Sequence, residues 1–571
     1  MGKIIGNPPL ILDDYPILKM LAKKFSILYK TAITLGLLVA MCLLSSCAEQ
    51  EATDKQDYIG PSDSQPTIQP TLETGKTQGP NSSPVVNLEP NGPIDITINE
   101  AVLISLQKNK SLAVEKLSPL IKRTFEQQAL AVFDPDLKGT VSGGQTRLES
   151  PPAAGAKPLE STQKTFGANT SISEFLPTGT TLSLDGSTSR LDESFAKDPF
   201  ISTRLGGSVT QSLLRGFGAA VNLVSVNQAR IDTKISQYEL RGFVESLVAQ
   251  IEEAYWNYSL AEKSIEIYEQ SLQVAEKQQQ ETEERINIGS LARSELAAAK
   301  AETALRQQNL IVAENTLAQS RLNLLRLLNP SGSEIWDRKI ILKSEPNTPA
   351  IELSPIETYV LRGMQMRPEL NQARLQIDRN ELEIVRTRNG LLPQLDFFIT
   401  LGKTGYSDSF DDSARNIFKK NDYDVATGII FEYPPMNRSA RAANQQATLS
   451  RQQAQEALGN LEQLVEVDIR SAYLQITSVQ QQVAAAKASR ELLEEKLRVE
   501  TGKFEVGKST SILVAQAQRD FMQSRITELT AAINYQVAII ELHRLEGTLL
   551  MRSGIASPGS EPVKQSKITS S

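Results

Sequence analysis

Gly502 to Ser509, "GKFEVGKS", satisfies the phosphate-loop pattern G-x-x-x-x-G-K-[ST]. In a working nucleotide site the pattern follows a buried strand, so that a glycine loop can present backbone N–H groups and a helix N-terminus to phosphate. Here the preceding "RELLEEKLRVET" is charged and carries Leu492, Leu493 and Leu497 at helical spacing. Phe504, Glu505 and Val506 would also put bulk and negative charge where an anion must lie. "GFGAAV" from Gly216 imitates a dinucleotide fingerprint, lacks its third glycine and reads as a loop entering a helix.

Other chemistry is scarce. His543 is the only imidazole and sits in a helical pattern, and the two cysteines are Cys42 and Cys47, so zinc sites and His-paired nucleophiles have no ligand set. No catalytic residue, metal or cofactor is expected. At 571 residues, with 40% hydrophobic but only 5% aromatic residues, the composition suits long Ala/Gln/Leu-rich helices better than a thick globular core.

The run "FSILYKTAITLGLLVAMCLLSSC", preceded or opened by Lys19, Lys23, Lys24 and Lys30, reads as a secretory signal with a positive n-region. It is marginal for an uncleaved span. The stretch before Met20 is long for an n-region, which makes Met20 a candidate start. The end, Leu44-Ser45-Ser46-Cys47, resembles the bacterial lipobox, which implies lipid attachment at Cys47 and loss of Cys42 with the signal. Ala48 follows the cysteine; by resemblance to lipoprotein sorting this points to the outer membrane. Removing five lysines and two aspartates takes the net charge from −7 to −10, which argues against a nucleic-acid partner.

Gly507 has a counterpart 218 positions earlier, Gly289 in "RINIGSLARSELAAAKAE", aligned with "KFEVGKSTSILVAQAQRD". The register holds upstream at Ala254-Tyr255 against Ala472-Tyr473 and downstream at "LLRL" against "LHRL". Earlier in each half the offset is 258, pairing Leu112 with Leu370 and "FDPDL" around Pro135 with "LLPQL" around Pro393. Both halves open on a capping-box pattern, "TINE" from Thr97 and "SPIE" from Ser354, the second with proline at the first helical position. The chain is a tandem duplication. The phosphate-loop match belongs to its second copy alone, since the first lacks counterparts of Gly502 and Lys508. What the copies share is a glycine interrupting a long helical pattern, expected as a left-handed C-cap where the chain reverses. Arms of about 60 residues would reach roughly 90 Å and need partners along their length.

Strands are expected only between the first and second helices of each half. "QLDFFITLG" puts Leu395, Phe397, Ile399 and Leu401 on one face, and "YDVATGIIFEY" does the same for Val425, Thr427, Ile429, Phe431 and Tyr433. "LKGTVSGG", "TTLSLDGSTSRL" and "ISTRLGGSVTQSLL" are first-half segments of similar style. Such alternation fits a barrel wall, apolar toward lipid and small or polar toward a lumen. A soluble two-sheet sandwich is the competing architecture. Pro135 to Tyr255 spans 120 positions against 80 from Pro393 to Tyr473; the surplus of 40 is an added hairpin or longer strands and loops.

This order, done twice behind a lipobox, resembles the TolC-like outer-membrane efflux protein family over about residues 94–550. The most specific stretches are "LPTGTTLSLDGS", "VTQSLLRGFGAAVNLVSVNQARI" and the two glycine-turn repeats. The resemblance implies a mainly α fold with a membrane β-barrel: a homotrimer in which each subunit gives four strands to a shared twelve-stranded barrel above a helical tunnel. It implies a conduit, not an enzyme, whose helix tips meet a periplasmic adaptor (membrane fusion protein) while an inner-membrane pump supplies energy. Carried over, the tips are Ile288, Gly289, Ser290 and Leu291, then Val506, Gly507, Lys508 and Ser509. Where relatives often carry an aspartate after the second tip, this chain has Thr510, Ser511 and Ile512, and Ser212 stands where "Q-P-L" is usual. The division is a signal over 1–46, a flexible Pro/Ser/Thr tether over 47–93, a first repeat over 94–330, a linker over 331–353, a second repeat over 354–550 and a disordered tail over 551–571. A periplasmic coiled-coil scaffold without a pore is the alternative of a different class.

Overall fold

A computed structural model describes residues 93–150, 159–194, 198–329, 336, 338–346, 352–420, 422–559 and 561–563. The signal, Cys47, the tether to residue 92 and part of the linker lie outside the described residues.

The first repeat begins with a short strand, β1 (Ile94–Ile96), and three helices, α1 (Ile98–Lys108), α2 (Lys110–Glu115) and α3 (Ser118–Leu130). Four strands follow: β2 (Asp136–Ser150), β3 (Leu159–Phe175), β4 (Thr180–Glu193) and β5 (Phe200–Ser212). A single turn, α4 (Ala219–Asn222), leads into the 64-residue α5 (Val224–Asn287) and the 35-residue α6 (Ser294–Leu328). The linker holds β6 (Ile340–Leu342), and α7 (Ile356–Met366), α8 (Pro368–Asn389), β7 (Gln394–Ser407), α9 (Phe410–Lys419), β8 (Tyr423–Glu432), the 68-residue α10 (Arg438–Glu505), the 35-residue α11 (Ser511–Leu545) and α12 (Leu549–Arg552) follow it.

The duplication is visible in packing. Residues 218 apart occupy equivalent buried sites: Ile251 and Ile469 are fully buried, as are Leu324 and Leu542, and Ala254 matches Ala472. Each set belongs to its own hydrophobic cluster, the first around Tyr255 and Leu328, the second around Ile469 and Tyr535. These clusters lie where the short helices of each repeat meet the long ones, and they give the long helices the tertiary packing that such lengths require. The copies differ where the first short helix meets the long ones. Ser105 donates to the Leu327 carbonyl at 2.8 Å, while its counterpart Gly363 leaves room for Ile469, whose Cδ1 lies 2.3 Å from where a Cβ would stand.

At Thr97 the capping box forms: its hydroxyl accepts from the Glu100 amide, and Glu100 accepts from the Thr97 amide at 2.8 Å. The second box, expected at Ser354, does not form. Pro355 occupies the N-cap position with no side-chain cap bond, and the helix starts one residue later than expected, at Ile356. The described part of the tail, to residue 563, differs from the expectation of disorder. Arg241 donates to the carbonyls of Gly547 and Gly559, Tyr238 donates to that of Glu561, and the Val563 amide donates to Asn371. These bonds satisfy polar groups that a solvated tail would leave to water.

The two shortest strands, β1 and β6, pair in parallel and join the starts of the repeats. The other six form one antiparallel sheet in the order β2-β3-β4-β5-β7-β8. Four strands therefore come from the first repeat and two from the second, six where the resemblance implies four. The first-repeat surplus is thus an added pair of strands.

Gly547 (φ +70) and Gly289 (φ +81) both hold left-handed backbone, but a Cβ on Gly547 would sit 3.0 Å from the Met366 carbonyl, whereas Gly289 faces open space. Gly289→Ala is expected to cost about 1 kcal/mol from backbone strain alone, and Gly547→Ala clearly more, measured by thermal unfolding of the detergent-solubilised protein. Equal losses would contradict the packing at Gly547. Burial, with Arg552 nearby, pushes the His543 imidazole down from 6.5 to about 4, so the fold holds it neutral. The stability tied to that group is present above pH 6.5 and lost as pH falls toward 4, on the order of 3 kcal/mol. His543→Gln should flatten that part of the stability–pH curve.

Candidate functional site

Two regions carry functional geometry, the six-stranded sheet and the ends of the helical hairpins. In the sheet, side chains alternate faces along each strand, so the register assigns every residue to a side. Val425, Leu401, Gly207, Leu184, Ile172 and Leu137 form one row across all six strands. Leu395, Phe397 and Ile399 share that face on β7, with Ile429 and Phe431 on β8. Most of this face is exposed, Phe431 at 66% and Val141 at 74%, an apolar surface far beyond what a water-facing sheet normally shows. The adjacent row on the other face reads Ala426, Thr400, Ser208, Ser183, Ser173 and Asp136. Its hydroxyls bond sideways across the strands, Ser183 with Ser208 at 2.7 Å among them.

The apolar stripe is oblique to the rows. On β7 it runs from Leu395 to Leu401; on β3 it starts at Ile172, which is level with Leu401, and continues through Ala168 to Phe166. A belt of constant height drawn across tilted strands climbs in this way, and tilted strands are the rule in membrane barrels. Beyond the stripe on β5 and β7 lies α9, an amphipathic helix. Ser413 and Ile417 are its buried contacts, and Phe410 meets Phe166 edge to face.

The polar face carries one charged cluster that the strand pattern did not disclose. Asp185, Gly206, Gly402 and Asp424 share a row. The Arg204 guanidinium lies over the two glycines, 2.6 Å from Asp424 and 3.9 Å from Asp185. A Cβ on Gly402 would lie 2.6 Å from Arg204 Nη2, so glycine makes the room. The available signal was an arginine on a strand face otherwise built, from Ser202 to Ser212, of Ser, Thr and Gly.

At the far ends of the long helices, the two glycine turns are the same motif. Gly289 N–H donates to the Ile286 carbonyl and Ser290 N–H to that of Arg285; Gly507 and Lys508 repeat this on Phe504 and Lys503. Both glycines have positive φ, and the bond pair is the Schellman arrangement. Ile288 and Val506 cap their helices with side chains 78% and 68% exposed. Gly289, Ser290, Gly507 and Lys508 are exposed, and Leu291 and Ser509 are half-buried. Gly502 lies inside α10, so no strand precedes a phosphate loop here.

Near these ends the second hairpin is tied to the first. Arg519 reaches Glu302 at 3.2 Å, Ser511 donates to Glu295, and the Arg285 guanidinium stacks 5.0 Å from the Phe504 ring centre. Glu302 also holds the buried Arg306 at 2.6 Å; burial lowers the proton affinity of that guanidinium, and Glu302 opposes the effect. The contacts between hairpins join residues more than 200 positions apart and have no periodic signature in sequence. Among the described residues no group of side chains could hold a metal and no helix is long and apolar enough to cross a membrane.

A family model described as "Outer membrane efflux protein" matches residues 168–330 and 364–548. Among solved structures, the Campylobacter jejuni CmeC outer membrane channel is 14% identical with a TM-score of 0.60, over 88% of this chain and 96% of that one. CusC, 16% identical, has a TM-score of 0.60 over 86% and 99%. The open state of the Neisseria gonorrhoeae MtrE outer membrane channel, 17% identical, scores 0.56 over 79% and 89%. A sequence search of curated proteins finds no match.

Arg204→Gln would leave Asp185 and Asp424 without their cation on the polar face. Ion-preference recordings in a planar bilayer are expected to shift toward cations. An unchanged preference would mean that permeating ions do not sense that face.

Proposed function

The chain belongs to the outer membrane efflux protein family, and on that premise we propose that it is the passive conduit of a tripartite efflux or type I secretion assembly. Family members are outer-membrane channels, and this chain acts at that membrane. Three copies form the conduit, anchored by lipid on Cys47. Their sheets close into the membrane wall, and the paired helical hairpins form a tunnel into the periplasm. Ile288 to Leu291 and Val506 to Ser509 dock a periplasmic adaptor, and an inner-membrane pump supplies energy. Nothing in this role calls for catalytic groups or a cofactor.

One observation carries the reading: a single sheet, apolar on one face and polar on the other, is continuous with helices of 64 and 68 residues that end in exposed glycine turns. At 1.5 Å per residue the longer helix spans about 100 Å, a length suited to crossing a compartment. Opening such a tunnel means moving the second hairpin away from the first. The Arg519–Glu302 and Ser511–Glu295 contacts resist that motion.

The mature protein reconstituted in a planar bilayer should give discrete ohmic conductance steps, with a trimer recovered on cross-linking the same sample. Arg519→Ala combined with Ser511→Ala should raise the open fraction, since both changes remove ties between hairpins and leave the buried Arg306–Glu302 pair in place. A trimer that stays silent even with these ties removed would favour a coiled-coil scaffold. Phe397→Asp separates the two readings again. A charge on the lipid face of a barrel is costly, about 2–4 kcal/mol for Arg or Lys at the midplane and less for Asp, and should impair membrane assembly, whereas an exposed scaffold strand would tolerate it.

A further inference from the structure

The first repeat supplies four strands and the second supplies two. By position, β2 corresponds to β7, each starting just after the prolines Pro135 and Pro393, and β5 corresponds to β8, each leading into a long helix. The added pair is therefore β3 and β4. It does not hang from an edge of the sheet. β3 pairs with β2 over the whole length of β2, from Asp136 to Ser150, and β4 pairs with β5 from Thr180 to Leu191. Displacing the added hairpin would leave β2 without its only partner.

The added strands carry the same two faces as the rest. Leu182, Leu184 and Ile172 continue the apolar row, while Ser183, Asp185, Ser187 and Asn169 continue the polar one. The oblique stripe passes through them without a break to Leu137 and Val141 on β2. An extracellular or lumenal hairpin would have no use for a lipid-facing row at matching height. The strands alternate in direction throughout, and six is an even number. The two edges, β2 and β8, therefore run oppositely, and β8 of one copy can pair antiparallel with β2 of the next. Neither edge can remain open in hydrocarbon.

We infer that three copies close a barrel of eighteen strands, not twelve, with its seam between β8 of one copy and β2 of the next. The inference rests on the trimeric conduit reading. Barrel diameter grows roughly linearly with strand number, so the lumen would be about half as wide again as that of a twelve-stranded wall. The membrane section then sets no tight size limit, and selection by size falls to the helical tips.

Two measurements on the full chain in lipid test this. Cysteine pairs scanned between lumen-facing positions of β8 (Asp424, Ala426) and β2 (Thr140, Ser142, Thr146) should lock trimers on a denaturing gel. Pairs between β8 and Ser187 of β4 should not. Cross-links from β8 to β4 would mean that β2 and β3 stand outside the wall and would overturn the eighteen-stranded seam while leaving the conduit intact. A native mass showing no trimer would overturn both. Single-cysteine labelling reads the wall without relying on the seam. Ser142→Cys should react with a membrane-impermeant maleimide, and Val141→Cys only with a lipid-soluble one. Equal reaction of the two positions with the impermeant reagent would remove β2 from the wall.

Discussion

A backbone amide without a partner costs several kcal/mol in hydrocarbon, and this chain ends its sheet in two rows of them, along β2 and β8. The alternation of faces, the even strand count and the opposed directions of the edges all answer to that one cost. So does the placement of polarity. The hydroxyls of the polar face bond to one another across strands, and its charges gather where glycines give a guanidinium space. On the opposite face the oblique stripe is mostly apolar, and charged side chains such as Glu174 and Lys403 lie beyond its ends.

The helical part faces the complementary difficulty. Helices of 64 and 68 residues cannot stand on propensity alone. The structure meets this with two duplicated cores set where short and long helices meet, and with much thinner contact toward the turns. Rigidity is therefore concentrated about midway along the long helices, away from their turns. Near the tips, a few polar links and one cation–ring stack carry the association of the hairpins. Such an arrangement keeps the body fixed while its end can change shape.

Much of this was legible in the sequence because the duplication writes the long helices twice, and Gly289 and Gly507 mark the same reversal in both copies. The residues of β7 and β8 announced their faces because Phe, Ile and Leu alternate with little interruption. The added strands were harder to read. β3 has only Phe166, Ala168 and Ile172 on its apolar side, diluted by Ser, Thr and Gly, so strand and loop look alike until the register is known. The Ser354 box failed because Pro355, lacking an amide hydrogen, sits at the cap itself. Arg204, Arg519 and Glu302 act across distant segments, and local pattern carries no trace of such contacts.

The packed tail has a consequence for how the chain is made. Arg241, deep in the first repeat, completes its hydrogen bonds on carbonyls 306 and 318 residues further along. Those acceptors are synthesised only after every long helix of both repeats. Until they arrive, a buried guanidinium has only Glu245 beside it, and the first repeat is unfinished. Vectorial, repeat-by-repeat folding is thereby discouraged, and closure of the first repeat is deferred until the second has been made.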